Sequence, residues 1–184
     1  MDRHNKLYTV ILSVLLAISA VFIMAAHLPA HSDQSQPVQG TSYSPPKPVL
    51  FGAYDVVRVV DGDTVIVSID GNERKIRLIG VDTPESVHPD AARNTENGKI
   101  AAAYTAELLT GRQVYLEYDT DRTDDYGRTL AYMWIDGCMV EDILLQNGMA
   151  QTMSIAPNTK YSLHFSQIEK QAQENGIGFW QKTE

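Results

Sequence analysis

Apolar and polar residues alternate in three successive short stretches of the chain, a pattern that is typical of half-buried β-strands. These stretches predict strands at 57–60, 64–69 and 74–79, and two further strands are predicted at 113–118 and 129–135. Asp70-Gly71 separates the second stretch from the third. This pair favours a two-residue hairpin, because both turn positions need positive φ. The first half of the domain is therefore expected to be a β-meander.

Three further stretches carry apolar residues at helical spacing and end at a glycine, which is a common helix stop. They predict helices at 99–110, 140–146 and about 161–173. The first helix falls between the third and fourth strands. Five short strands with a helix at this position predict an α+β, mainly β fold, a five-stranded Greek-key barrel of the OB-fold type with three α-helices.

The N-terminal part of the chain differs from the rest. Residues 7–26 contain no charge and follow Arg3 and Lys6. About 20 apolar residues are long enough to cross a bilayer, so residues 1–30 are predicted to be a signal peptide or a membrane anchor. Basic residues before the segment place the remainder of the chain outside the cytoplasm, either secreted or anchored to the outer face of the cytoplasmic membrane. A buried helix of the domain is the alternative, which the all-round apolarity disfavours.

Residues 31–49 are rich in Ser, Gln and Pro and are predicted to be a flexible linker to a domain at 50–184. The whole chain has 184 residues, of which 43% are apolar, as in globular proteins. Residues 50–184 carry 12 basic and 21 acidic side chains, a net charge of −9. No global basic field attracts nucleic acid, so any polyanion must be held locally. The single cysteine excludes a disulfide framework.

Two clusters of carboxylates flank strands of the predicted meander. Asp61-Gly62-Asp63 precedes the second strand, and Asp82-Thr83-Pro84-Glu85 comes after the third. Antiparallel pairing would bring both clusters to one edge of the sheet. Oxygen-only ligands favour a hard cation such as calcium or magnesium, and calcium suits an extracellular setting. The alternative is that both clusters only form turns.

Two arginines accompany these clusters. Arg77 lies in an otherwise apolar strand five residues before Asp82, and Arg128 comes after an acidic loop. A guanidinium offers a planar fork of donors that fits two phosphate oxygens. The pair could therefore stabilise charge on phosphorus in a transition state, or could be structural partners of nearby acidic residues.

Three runs of sequence, at 60–64, 76–85 and 122–132, together resemble the thermonuclease, or staphylococcal nuclease, family. The resemblance covers about residues 52–180. It implies an OB-fold barrel with three helices and calcium-dependent hydrolysis of DNA and RNA to 3′-phosphate products.

The resemblance also implies roles for individual residues. Asp63 and Asp82 correspond to carboxylate ligands of Ca²⁺, and Thr83 to a ligand through its carbonyl oxygen. Glu85 corresponds to the residue that orients or deprotonates the attacking water. Arg77 and Arg128 correspond to the pair that binds the scissile phosphate, and Tyr126 to a substrate contact. The chain departs from the family at Asp90, Ala91 and Asp125, where the best-known member has basic residues.

These features predict an exported, calcium-dependent, sugar-non-specific nuclease acting on DNA and RNA. We expect a monomer with no protein partner, and contact with a membrane only if the N-terminal segment is retained. The alternative classes are a non-catalytic OB-fold that binds nucleic acid and a calcium-stabilised surface module. Both would leave the combination of Glu85 with two arginines without a purpose.

Overall fold

The computed structural model describes residues 47–181. The predicted export segment at 1–30 and most of the predicted linker at 31–49 lie outside the described residues. Within the described range, no helix has the length and apolarity that a membrane span requires.

The domain contains eight β-strands and three α-helices. The strands are β1 (Phe51–Asp61), β2 (Thr64–Ile69), β3 (Asn72–Leu78), β4 (Gly80–Asp82), β5 (Gln113–Glu117), β6 (Thr129–Ile135), β7 (Cys138–Met139) and β8 (Gln151–Met153). The helices are α1 (Glu96–Leu109), α2 (Val140–Gln146) and α3 (Ser162–Glu174). Short 3₁₀ turns occur at Ala91–Arg93 and Gly178–Trp180.

Five strands close into a barrel, which confirms the predicted OB-type α+β fold. The strands are arranged in the order β3, β2, β1, β5, β6, and β6 pairs again with β3. This closing pair is parallel and aligns Arg77 with Leu130. The other barrel pairs are antiparallel. Closure therefore places the end of β3 beside the start of β6.

The structure differs from the sequence-based expectation mainly in the length of β1 and in three very short strands. β1 begins at Phe51 rather than at residue 57, because its first part pairs with β5, where most of its side chains are exposed and show no alternation. β4, β7 and β8 have two or three residues each, too few to show a period of two. β4 and β8 form a separate two-stranded sheet.

The core lies inside the barrel and between the barrel and α3. Side chains such as Val65, Ile76 and Leu116 fill the barrel and are almost fully buried. Outside it, Tyr132 of β6 contacts Tyr161 edge-to-face, with ring centroids 4.7 Å apart. Phe165 of α3 completes this aromatic cluster. Such pairs contribute beyond the area that they bury and hold α3 against the barrel.

Glu117 is a charged residue within this packing, with its side chain 1% exposed. Its carboxylate accepts hydrogen bonds from Trp134 Nε1 at 3.1 Å and from the Tyr161 hydroxyl at 2.9 Å. Lys160 supplies an ion pair to the same carboxylate. A buried charge is tolerated when it is paired and hydrogen-bonded in this way. Glu117 therefore ties β5, β6 and the start of α3 together.

We predict that Glu117→Ala lowers the free energy of unfolding by about 3 kcal/mol, because it removes the acceptor of several buried hydrogen bonds and leaves their donors desolvated. Denaturant titration followed by circular dichroism measures this. Glu107→Ala, at an exposed position of α1, is the control and should change stability by less than ~0.5 kcal/mol. Equal effects of the two substitutions would show that Glu117 does not link these elements.

Candidate active site

The two carboxylate clusters lie at one end of the barrel, where β1 turns into β2 and β3 ends. Thr64 at the start of β2 pairs with Arg77 near the end of β3. The N–H of Leu78 donates to the carbonyl oxygen of Asp63 at 2.9 Å. The antiparallel register therefore places the turn that holds Asp61 and Asp63 beside the segment that leaves β3.

The clusters interlock through two matching sets of hydrogen bonds. Asp63 Oδ2 accepts from the Thr83 N–H at 2.9 Å and from the Thr83 hydroxyl at 3.1 Å. Asp61 accepts from the Ser86 hydroxyl at 2.7 Å and from the Ser86 N–H at 3.4 Å. Each carboxylate thus binds the backbone and the side chain of one loop residue. Glu85 lies between the two attached residues, so its backbone is fixed from both sides.

Two glycines allow the close approach that this interlock needs. A Cβ atom on Gly62 would lie 2.7 Å from the Thr83 hydroxyl oxygen, and one on Gly98 of α1 would overlap the carbonyl group of Glu85. That carbonyl accepts a hydrogen bond from the Thr95 N–H at 2.9 Å. Thr95 is also the N-cap of α1, since its side chain accepts from the Gly98 N–H. The start of α1 therefore also supports the backbone of Glu85.

Glu85 is half-buried and lies in a negative environment. Burial raises the pKa of its carboxyl group above the usual value, and the charges of Asp61 and Asp63 raise it further. Electrostatic interactions with His88 and Arg93 lower the pKa of Glu85 and so act in the opposite direction. A carboxylate with a raised pKa is a stronger base, which suits it to accept a proton from water.

Arg77 is buried and held by four contacts. Its Nη1 donates to the carbonyl oxygens of Leu78 at 2.8 Å and Val81 at 2.7 Å. Its Nη2 lies 3.2 Å from Asp63 Oδ2 and 3.0 Å from Asp82 Oδ1. The two predicted metal-ligand carboxylates therefore converge on one guanidinium nitrogen. The Nε–H has no partner among residues 47–181, so the Nε–Nη2 edge is the one that can turn to a ligand.

Arg128 is more open than Arg77 and lies beside Tyr126. Its Nε donates to Asp124 Oδ2 at 2.6 Å, and its N–H donates to Asp124 Oδ1 at 2.8 Å. Burial opposes ionisation of Asp124, but these hydrogen bonds outweigh it and lower the pKa of the Asp124 carboxyl group. The guanidinium carbon lies 5.5 Å from the Tyr126 ring centroid, and the Tyr126 side chain is strongly exposed. Asp124 thus orients Arg128 and leaves its two Nη groups facing outward from the pair.

A cleft of about 380 Å³ connects these groups. Arg77, Arg128 and Tyr126 line it, together with acidic residues of the loop before β6 and apolar residues around β8. Asp63, Asp82, Thr83 and Glu85 do not line the cleft. The predicted site residues therefore fall into two sets. Arg77, Arg128 and Tyr126 line the cleft, whereas Asp63, Asp82, Thr83 and Glu85 form an adjacent acidic cluster, and Arg77 contacts this cluster as well.

The acidic cluster next to the cleft is chemically suited to a hard cation. Its predicted donors are carboxylate and carbonyl oxygens. The Asp82 side chain is 39% exposed, and within residues 47–181 its Oδ2 atom accepts a single hydrogen bond, from Gln151 at 3.4 Å. Within residues 47–181, no group of three or more His, Cys, Asp or Glu side chains is placed to hold a metal ion. Two carboxylates and one carbonyl would supply about half of the six to eight oxygens that calcium takes and leave the rest to water and substrate.

Comparison with known proteins identifies the family. Residues 75–182, more than half of the chain, match the family described as staphylococcal nuclease homologue. The chain belongs to the staphylococcal nuclease family. It is a nuclease, an enzyme that hydrolyses phosphodiester bonds.

Individual relatives of this nuclease agree with the assignment. It is 42% identical over 130 residues to a protein named Thermonuclease from Staphylococcus intermedius. The aligned region covers 71% of this chain and 77% of that protein. Identity to the Thermonuclease of Staphylococcus hyicus is 44% over 127 residues, 69% of this chain and 75% of that protein. Endonuclease YncB of Bacillus subtilis is 34% identical over 153 residues, 82% of this chain and 72% of that protein.

The residues that support Glu85 in this nuclease are not among those that the sequence pattern predicted. Ser86, Thr95 and Gly98 act through tertiary contacts with Asp61 and with the backbone of Glu85. One local sign was available for Thr95, because threonine immediately before Glu96 is a typical N-cap. Nothing in the local sequence indicates that Ser86 binds a carboxylate 25 residues earlier.

We predict that Gly98→Ala destabilises the nuclease, although glycine-to-alanine substitution inside a helix normally adds ~0.5–1 kcal/mol of stability. The added methyl group would displace either α1 or the backbone of Glu85. The free energy of unfolding and the rate of DNA cleavage should both fall. Asn97→Ala, at the exposed neighbouring position of α1, should leave both unchanged or slightly raise stability. A stabilised and fully active Gly98→Ala enzyme would contradict the close packing.

Proposed function

We propose that this nuclease is a calcium-dependent, sugar-non-specific enzyme that cleaves DNA and RNA to 3′-phosphate products. The observation that carries the proposal is the convergence of Asp63 and Asp82 on Nη2 of Arg77, next to a Glu85 that is fixed from both sides. Carboxylate oxygens that can bind a cation, a guanidinium that can bind a phosphate and a carboxylate that can accept a proton from water therefore lie next to one another.

Glu85 is the general base in this proposal. Its carboxylate accepts a proton from a water molecule, and the resulting hydroxide attacks phosphorus. The bond from phosphorus to the 5′ oxygen breaks, and this oxygen leaves as a hydroxyl group after it takes a proton from solvent. Burial and the neighbouring carboxylates strengthen the base, while Ser86 and Thr95 keep its backbone in place. A fixed base avoids the entropic cost of bringing a mobile group to the water.

The two arginines bind the scissile phosphate and stabilise the charge that builds on it. Arg77 has both Nη1 hydrogens committed to backbone carbonyls, so only its Nε–Nη2 edge can meet two phosphate oxygens. Nη2 must exchange at least one carboxylate contact for a phosphate oxygen. Arg128 offers its Nη groups without such an exchange, because Asp124 holds it through Nε. Because arginine keeps its positive charge throughout the pH range in which proteins work, binding of the phosphate by these two side chains requires no prior proton uptake.

Asp63, Asp82 and the carbonyl of Thr83 are the residues that would hold the calcium ion. A bound calcium ion supplies positive charge that polarises a phosphate oxygen and stabilises the transition state. Asp63 already accepts three hydrogen bonds or ion-pair contacts at Oδ2. Asp82 is less occupied and more exposed, so we assign it the larger part in metal affinity.

We further propose that the apolar segment at 7–26 exports the nuclease domain, so that it acts outside the cytoplasm as a secreted or anchored enzyme. The order of basic residues before an uncharged segment supports this orientation. Calcium at millimolar concentration outside cells would suit a site with few protein ligands.

We predict that Glu85→Gln lowers kcat by about 10² to 10⁴ and changes KM little, because the amide keeps the shape of the side chain and cannot accept the proton. Steady-state kinetics on a single-stranded oligonucleotide measure both parameters. Glu96→Gln, an exposed carboxylate at the start of α1, serves as the matched control and should behave as wild type. A variant whose kcat survives while KM rises would assign Glu85 to binding.

Ser86→Ala tests the support of Glu85 separately from the base itself. Loss of the Ser86 hydroxyl should lower kcat by about 10- to 10²-fold through misplacement of the base. The same substitution made in Glu85→Gln should have almost no further effect, since there is no base left to position. Ser86→Thr, which retains a hydroxyl, should recover most of the activity. Independent, multiplicative losses in the double variant would show that Ser86 does not act through Glu85.

The metal assignment is tested without any turnover by calorimetric titration of calcium into the substrate-free protein. Asp82→Asn should weaken calcium binding by at least the ~10- to 100-fold that loss of an outer-shell partner costs. Asp70→Asn, the same change at the exposed turn between β2 and β3, should leave the affinity unchanged. Unaltered calcium binding by Asp82→Asn would exclude Asp82 as a ligand.

A further inference from the structure

Two exposed cations lie on the face of the barrel from which Arg77 projects. Lys75 precedes Arg77 by two residues on β3, so the two side chains point to the same face of the sheet. Lys75 pairs with Ile66 of β2, and Ile66 pairs with Arg58 of β1. Directly paired residues share a face, so Arg58 belongs to it as well. Lys75 and Arg58 together form the outer cation pair.

The outer cation pair begins at the edge of the cleft. The parallel register between β3 and β6 aligns Ile76 with Thr129 and Arg77 with Leu130. Lys75 immediately precedes the first residue of this register on β3, and Arg128 immediately precedes the first on β6, so both side chains start from the same end of the paired segment. Arg77, Arg128 and Leu130 all line the cleft. Lys75 is about 7 Å along the strand from Arg77, and Arg58 lies two strands away, at about 10 Å from Lys75.

The members of the pair are not neutralised by the part of the chain that the structure describes. Neither has an ion pair or a side-chain hydrogen bond with residues 47–181. By contrast, six basic side chains in this range pair with carboxylates: Arg77, Lys99, Arg112, Arg128, Lys160 and Lys170. In a domain with a net charge of −9, two unpaired cations beside the cleft form a local positive region.

The loop before β6 makes its part of the cleft negative. Asp121, Asp124 and Asp125 line the cleft, and among the described residues only Asp124 pairs with an arginine. The charges of Asp121 and Asp125 repel a phosphate backbone. Further along the face of the outer cation pair, Asp55 and Glu73 both pair with Ser68. Their negative charges mark the end of the positive region in that direction. The favourable course for a polyanion therefore runs across the strands, from Arg77 past Lys75 to Arg58.

We propose that the outer cation pair binds the phosphates next to the scissile one in a single-stranded nucleic acid, which leaves the cleft across β3, β2 and β1. This rests on the proposed function of the cleft. A single strand can track the surface because its successive phosphates are spaced comparably to Lys75 and Arg77. The acidic domain thereby binds its substrate through a few local cations, in place of the basic residues that are absent at Asp90, Ala91 and Asp125.

The test compares Lys75→Gln and Arg58→Gln with Arg74→Gln, which removes the same charge from an exposed position on the opposite face of β3. KM for cleavage of a 20-nucleotide single strand is measured at several salt concentrations. We expect several-fold increases in KM for Lys75→Gln and Arg58→Gln and none for Arg74→Gln. The slope of log KM against log salt should fall by about 0.7 for each cation removed. The increase should be smaller for a dinucleotide, which has no phosphate to reach the pair.

Binding of a fluorescein-labelled oligothymidylate, measured by anisotropy in the presence of chelator, tests the surface independently of catalysis. Weaker binding by Lys75→Gln than by Arg74→Gln would support the outer cation pair. Absence of cleavage by the wild-type protein would overturn the proposed function but would leave this binding result standing. Equal binding by all variants overturns the outer cation pair and leaves the catalytic proposal intact. If Arg74→Gln weakened binding as much as Lys75→Gln, the outer cation pair would also be overturned, because the change in net charge would then explain the weaker binding.

Discussion

The hydrogen bonds between the Asp61-Gly62-Asp63 turn and the loop after β4 are the constraint on which the site depends. Each carboxylate accepts from both the N–H and the hydroxyl of one loop residue, at Thr83 and at Ser86. The loop is too irregular to hold its own shape through backbone pairing, so these side-chain acceptors take the place of a sheet partner. Glu85 is fixed because the residues around it are fixed.

Closure of the barrel brings the two arginines of the site together. The parallel pairing of β3 with β6 sets Arg77 beside the segment that carries Arg128, although 51 positions separate them in the chain. Arg77 then connects the cleft to the carboxylates, since one nitrogen contacts both Asp63 and Asp82. The same carboxylate that holds Thr83 in place thus also holds Arg77, and a change at Asp63 would disturb the metal ligands, the loop and the arginine together.

The barrel strands and the meeting of the two carboxylate clusters were predictable, because both leave local marks in the sequence. Alternation marks β2 and β3, an Asp-Gly pair marks their turn, and carboxylates at strand ends mark the site. β4 and β8 have no such mark, since three residues show no period. The supports at Ser86 and Gly98, and the buried acceptor Glu117, depend on which distant segments meet. That information lies in the register between strands and the docking of helices, which no short window of sequence contains.

In our proposal, this site directs water to phosphorus and expels the 5′ oxygen of the next nucleotide, and the reaction depends on calcium. Mass spectrometry of the products of a defined single-stranded oligonucleotide, cleaved in ¹⁸O-labelled water with calcium or with chelator, tests it directly. The account predicts fragments that end in a 3′-phosphate bearing one labelled oxygen, formed only when calcium is present. Fragments with labelled 5′-phosphates, or cleavage that chelator does not prevent, would contradict it.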